Sequence, residues 1–145
     1  MGASTRDRCL ADYSNGSSKL DLVAPGGGDD ADIATDPDCH PNSGQQLPSI
    51  NQMTLLDPPR SWSRFGYPSG IYGTSMAAPH VAAAAALVIA SGVLGRHPSP
   101  AQVLGRLEET AQPLGGAKPN SNFGYRLVDA GAATAPVASA ARHSR

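Results

Sequence analysis

The chain has 145 residues, a formal net charge of −1, 40% hydrophobic residues and only 5% aromatic ones. That length suits one domain, and a near-neutral balance without a basic cluster makes nucleic acid or an anionic membrane surface a poor partner. With few aromatics the core must rely on Ala, Val and Leu, and 16 Gly with 13 Pro indicate a loop-rich chain with many special backbone positions.

The first residues, Met1 to Asp7, lack the apolar stretch of a signal peptide. Residues 1–24 read as two short strands around a turn at Asn15-Gly16-Ser17-Ser18. Lys19 to Ala24 alternates and then runs apolar, as a strand with one buried end does, and Pro25-Gly26-Gly27-Gly28 stops it. Cys9 and Cys39 have no companions at metal-ligand spacing. They pair with each other or with cysteines outside this chain; an internal bond would close a loop of about 30 residues and stabilise by roughly 3–4 kcal/mol.

Residues 25–70 show little periodicity. Asp29, Asp30, Asp32, Asp36 and Asp38 crowd one stretch, but their spacing is not that of a calcium-binding EF-hand loop, and a solvated acidic loop is the favoured reading. A structureless segment this long is unusual, so a hairpin is expected, with Ile50 to Leu55 as a strand. Trp62, Phe65 and Tyr67 suit a loop covering the core better than a substrate subsite.

Residues 75–91 are the strongest predicted helix. Pro79 is expected in its first turn. Val81 to Ala90 is apolar on every face, which predicts a helix buried all round and is too short a run to span a bilayer. Gly92 is the expected C-cap. Ser99-Pro100-Ala101-Gln102 is a capping box that starts a helix to about Ala111, with Val103, Leu104, Leu107 and Ala111 on one side. Pro113 and Gly115-Gly116 end it. A last short helix is expected over about Val128 to Thr134, and residues 136–145 read as a flexible, slightly basic tail.

The chemistry lies in Gly73-Thr74-Ser75-Met76-Ala77-Ala78-Pro79-His80-Val81-Ala82. A serine hydroxyl is a weak nucleophile that needs an adjacent base and a fixed, exposed position. A helix N-terminus supplies the position, with unpaired N–H groups and the positive dipole end beside a developing oxyanion. Gly73 permits close approach, and Ala77 and Ala78 leave room. His80, five residues after Ser75, points away from it by roughly 140° on a helix, so it is not read as the base. His97 is read as an ordinary loop residue and Met76 as a packing residue.

This ten-residue stretch matches at every position the serine signature of the subtilisin-like serine proteases, the subtilases. Tyr13-Ser14-Asn15-Gly16-Ser17, Leu22-Val23-Ala24-Pro25-Gly26 and Phe123 to Ala130 resemble further segments of that family, so the likeness spans about residues 2–135, a single partial catalytic domain. It implies an α/β fold, the C-terminal portion of a helix-covered parallel sheet, and a secreted serine endopeptidase acting on proteins or peptides, with Ser75 as nucleophile; no cofactor and no metal-ligating residue is assigned. Two positions depart from the family: Ala83 and Arg126 stand where it usually has Gly, and an added methyl at Ala83 would crowd a tight core.

The triad Asp and His and the oxyanion Asn, in the order the family uses, have no matching motif here. Asp32, His40, Asn15 and Asn42 lack the family's flanks and are given no catalytic role. The resemblance therefore implies that those groups precede Met1, which is read as a late start. The chain alone is expected to be inactive and short of the N-terminal part of the domain that would cover its apolar faces. The competing reading is a non-catalytic remnant or packing module.

Overall fold

The computed structural model describes residues 1–33, 39–41, 49–57, 60–114 and 119–136, with Ser61 described by its backbone alone. In chain order the elements are β1 (Gly2–Ser4), β2 (Val23–Pro25), β3 (Thr54–Asp57), β4 (Ser61–Gly66), α1 (Thr74–Ser91), α2 (Pro100–Thr110) and α3 (Ala130–Thr134).

The two strands expected in residues 1–24 are present but parallel. β1 pairs with β2 in the register Gly2–Val23, Ala3–Ala24 and Ser4–Pro25. The long link between them folds back as an antiparallel contact of Ser4 with Leu10, closed by Thr5 N–H to Cys9 O (2.9 Å) and Arg8 N–H to Thr5 O (3.3 Å). Arg8 takes φ +66° there, the left-handed residue that such a three-residue hairpin loop calls for. Leu127 extends the sheet through a parallel contact with Val23. Cys9 and Cys39 are disulfide-bonded, which settles the pairing left open by the sequence and ties residue 39 to the hairpin that follows β1.

Helix α1 lies across β1 and β2, and α2 and α3 pack on α1. The contact of α1 with the strands is made by alanines, with Ala3, Ala11, Ala24 and Ala77 forming one buried cluster. Small side chains let helix and sheet approach closely. The neighbouring cluster joins Leu22, Ala84, Val88, Val103, Leu107, Ala111 and Ala133. A third, of Leu10, Leu20, Val23, Leu114 and Phe123, lies under the loops. A core of Ala, Val and Leu is what the composition required.

α2 begins as its sequence dictates. Ser99 N–H donates to Gln102 Oε1 (2.8 Å) and Gln102 N–H to Ser99 Oγ (3.3 Å), with Pro100 at the first helical position. Val103, Leu107 and Ala111 are buried, whereas Leu104 is exposed. Arg106 reaches across to α3, where its guanidinium donates to the carbonyls of Ala133 (2.9 Å), Ala132 (3.1 Å) and Ala135 (2.7 Å). A helix end leaves its last carbonyls short of donors, and among the described residues only Ala132 O of these three also accepts a backbone N–H, that of Ala135 at 3.3 Å. α3 is shorter than expected because Asp129 is its N-cap, accepting from Ala132 N–H at 2.8 Å.

Three expectations are corrected. α1 is not buried all round: Ala77, Ala84 and Val88 are buried, and Leu87, Ile89 and most of its alanines are exposed. Its 18 residues, at mean hydropathy 1.4, match a membrane span by length and composition, although Val81 to Ala90 alone does not. Ala77, Ala84 and Val88, at offsets of 7 and 4, form one stripe, and the described chain has only enough structure to cover that stripe. Ala83 is exposed, so its methyl crowds nothing here. Pro79 sits at the sixth helical position, one turn later than expected. Its missing N–H leaves the Ser75 carbonyl without its helical donor.

The hairpin expected in residues 25–70 is β3 with β4, antiparallel and irregular between Leu55 and Asp57. Its first strand begins at Thr54, later than Ile50. Trp62, Phe65 and Tyr67 cover no core: they are 69%, 59% and 71% exposed, and the hairpin packs on no other described element. Of the acidic residues, Asp32 is exposed, but Asp30 is buried and its Oδ1 has no partner among the described residues. Asp36, Asp38, Asn42, Gly115, Gly116 and the tail from 137 lie outside the described residues.

Candidate active site

Ser75 is the second residue of α1 and is exposed. The helix starts here because Gly73 stands at its N-cap with φ 150° and ψ 164°, a region open essentially to glycine. Gly73 O accepts from Met76 N–H (2.9 Å) and Ala77 N–H (3.3 Å). Among the described residues no side chain caps the terminus. The N–H groups of Thr74 and Ser75 have no carbonyl within the helix to bond, so they face outward with the positive end of the dipole. A carbonyl oxygen gaining negative charge beside Ser75 would meet those donors.

The approach to the serine is fixed from behind. Gly73 N–H donates to Gly26 O at 2.9 Å, and Gly26 N–H donates to Ser4 O at 2.9 Å, so the helix start is tied through the Pro25–Gly28 turn to the ends of β1 and β2. Carboxyl ends of parallel strands are where α/β sheets place their sites. Tyr13 stands against the same turn. Its hydroxyl donates to Gly27 O at 2.7 Å, and its ring lies 5.6 Å from that of Tyr72, centroid to centroid. Burial pushes the Tyr13 phenol up to about 12, against the Gly73 N–H, which acts in the opposite sense; the charges of Asp12 and Tyr72 add to the rise.

The expected non-base, His80, is occupied elsewhere: its Nδ1 is 2.8 Å from Met76 O, one turn back on its own helix. His40, His97 and Asp32 are exposed. Asn15 donates through Nδ2 to Met1 O at 3.3 Å. Among the described residues no histidine or carboxylate is hydrogen-bonded to Ser75, and no three His, Cys, Asp or Glu side chains gather to hold a metal ion. The contacts of Tyr13 with Gly27 and Tyr72 were not read from the sequence, where its signal is only that it opens a segment resembling the subtilases.

Fold and site together define a class: an α/β chain whose parallel strands and covering helix present a serine at an uncapped helix N-terminus. The chain belongs to the Subtilase family, whose model matches residues 1–125. Among solved structures it is similar to a protease from Pseudoalteromonas arctica PAMC 21717, at TM-score 0.65 and 28% identity over 91% of this chain and 34% of that one. It is also similar to a lanthipeptide protease, at TM-score 0.57 and 29% identity over 91% of this chain and 39% of that one. The chain thus spans little more than a third of each of these two structures. No curated protein matches it.

Proposed function

We propose that this chain is the nucleophile-bearing part of a subtilisin-like serine endopeptidase, with residues 1–135 forming part of its catalytic domain. The observation that carries the reading is Ser75, exposed on the first turn of α1 where no described side chain caps the free N–H groups. Ser75 Oγ would attack the scissile carbonyl carbon while a base takes its proton. Its own N–H would donate to the oxyanion. The base would then hand the proton to the departing amine, leaving an acyl-serine for water to hydrolyse.

The base, its orienting carboxylate and a second oxyanion donor come, in this proposal, from polypeptide outside these 145 residues. Two observations support that: no described histidine or carboxylate reaches Ser75, and one face of α1 is apolar and uncovered. Proteins or peptides are the proposed substrates. A secreted location is proposed with them, in keeping with the Cys9–Cys39 disulfide, since such bonds persist in oxidising compartments.

Fluorophosphonate labelling tests the reading, because such probes modify a serine only when a base activates it. The expected result is no label on this chain alone and label on Ser75, lost in Ser75→Ala, when a chain carrying the missing groups is supplied. Ser75 remaining unlabelled in that assembly would leave the non-catalytic packing module as the better account.

A further inference from the structure

We propose that Tyr13 is a positioning residue for Ser75, its hydroxyl bracing the turn on which the start of α1 rests. The inference depends on reading Ser75 as the nucleophile for its meaning, but its geometry stands apart from that reading.

The nucleophile's helix is anchored at its start by a backbone bond between two glycines, Gly73 N–H to Gly26 O. Gly73 has no side chain to pack and holds a conformation, φ 150°, that is open essentially to glycine. On the other side of the bond Gly26, Gly27 and Gly28 follow one another, the last two at φ 73° and 86°. Glycine has more backbone freedom than any other residue, so this anchor is intrinsically loose. Something rigid has to hold it.

Tyr13 fits that need. Its hydroxyl fixes the Gly27 carbonyl at 2.7 Å, while its ring fills the space beside the turn. A Cβ placed on Gly28 would come within 2.5 Å of the ring's Cε1, and one on Gly26 within 2.8 Å of the hydroxyl and 3.0 Å of Gly73 O. The absence of side chains from the turn is what lets a tyrosine seat there. The ring also lies 5.6 Å from that of Tyr72, the residue before Gly73. One rigid side chain therefore touches the turn and the residue leading into the helix, and holds together the two partners of the Gly73–Gly26 bond.

Backbone amide exchange and the amide NMR spectrum of the whole chain test this with Tyr13→Phe, which keeps the ring and removes the hydroxyl, and Tyr13→Leu, which removes both. The expected result for Tyr13→Phe is faster exchange at Gly73, by up to about tenfold for one lost hydrogen bond. Displaced amide resonances for Gly73, Thr74 and Ser75 should accompany it, with Val103 and Leu107 in α2 unchanged. Tyr13→Leu should enlarge both effects. Gly73 exchange unchanged in both variants would overturn the proposal, as would an equal acceleration across α2, which would mark Tyr13 as a general packing residue. Neither readout needs catalysis, so failure here leaves the labelling of Ser75 to be judged on its own.

Discussion

Two residues near the last strand contact show how backbone conformation and residue type agree or conflict. Gly124 has φ +53°, and a Cβ there would lie 2.4 Å from the carbonyl oxygens of Leu20 and Asp21. That is backbone, which cannot swing aside, so glycine is required. Two residues on, Arg126 holds φ +116°, a conformation that costs a side-chain-bearing residue about 1–3 kcal/mol. This is the position where the family resemblance called for glycine, and the backbone has kept the glycine conformation. Arg126→Gly should raise stability by about 1 kcal/mol after the added freedom of the unfolded chain is subtracted. A urea unfolding midpoint no higher than that of the parent chain would refute it.

At the scale of elements, helix ends carry the clearest energetics. The reciprocal bonds of Ser99 and Gln102 satisfy donors that would otherwise be unpaired, and Ser99→Ala should destabilise by about 1 kcal/mol. Chemical denaturation would show it, and an unchanged midpoint would mean that α2 is held by Val103 and Leu107 alone. Asp129 couples α3 to the end of α2. The Ala132 N–H first, and then the Gln112 side chain at 2.7 Å, hold its carboxyl below the usual value. A folded-state pKa depressed in this way gives stability that is present above the unfolded value of 3.8 and is lost as pH falls through the folded value. Asp129→Asn keeps a capping oxygen but cannot titrate, so its stability should fall less than the parent's on acidification below about pH 4. Parallel acid limbs for the two proteins would contradict this.

For the whole molecule, the disulfide and the uncovered faces act in opposite directions. Cys9–Cys39 closes a separation of 30 residues, worth roughly 3–4 kcal/mol through the unfolded state. Against that, α1 exposes Leu87 and Ile89. An apolar groove of about 400 Å³, lined in part by Val81, Ile89, Leu104 and Leu107, opens between α1 and α2. The isolated hairpin, with Trp62 and Phe65 exposed, is of a kind only marginally stable by itself. The chain alone should therefore bind a hydrophobic dye such as ANS while folded and melt with poor cooperativity, and reduction should lower its midpoint. A monomer that melts cooperatively and leaves the dye unbound would show that these faces need no cover.

Local chemistry made much of this protein legible in its sequence. The capping box at Ser99, the left-handed cap at Gly92, an alanine-based core and Ser75 in its signature all depend on neighbours within a few residues, where conformational preference and hydrogen-bonding capacity are written in residue type. Tertiary structure decided the rest. Whether an all-apolar helix is buried depends on how much chain surrounds it, and α1 finds cover for one stripe only. The parallel sense of β1 and β2, the pairing of Cys9 with Cys39 and the seating of Tyr13 on the Gly26–Gly28 turn are contacts across 10 to 30 residues. Their geometry follows from packing, which no local pattern specifies.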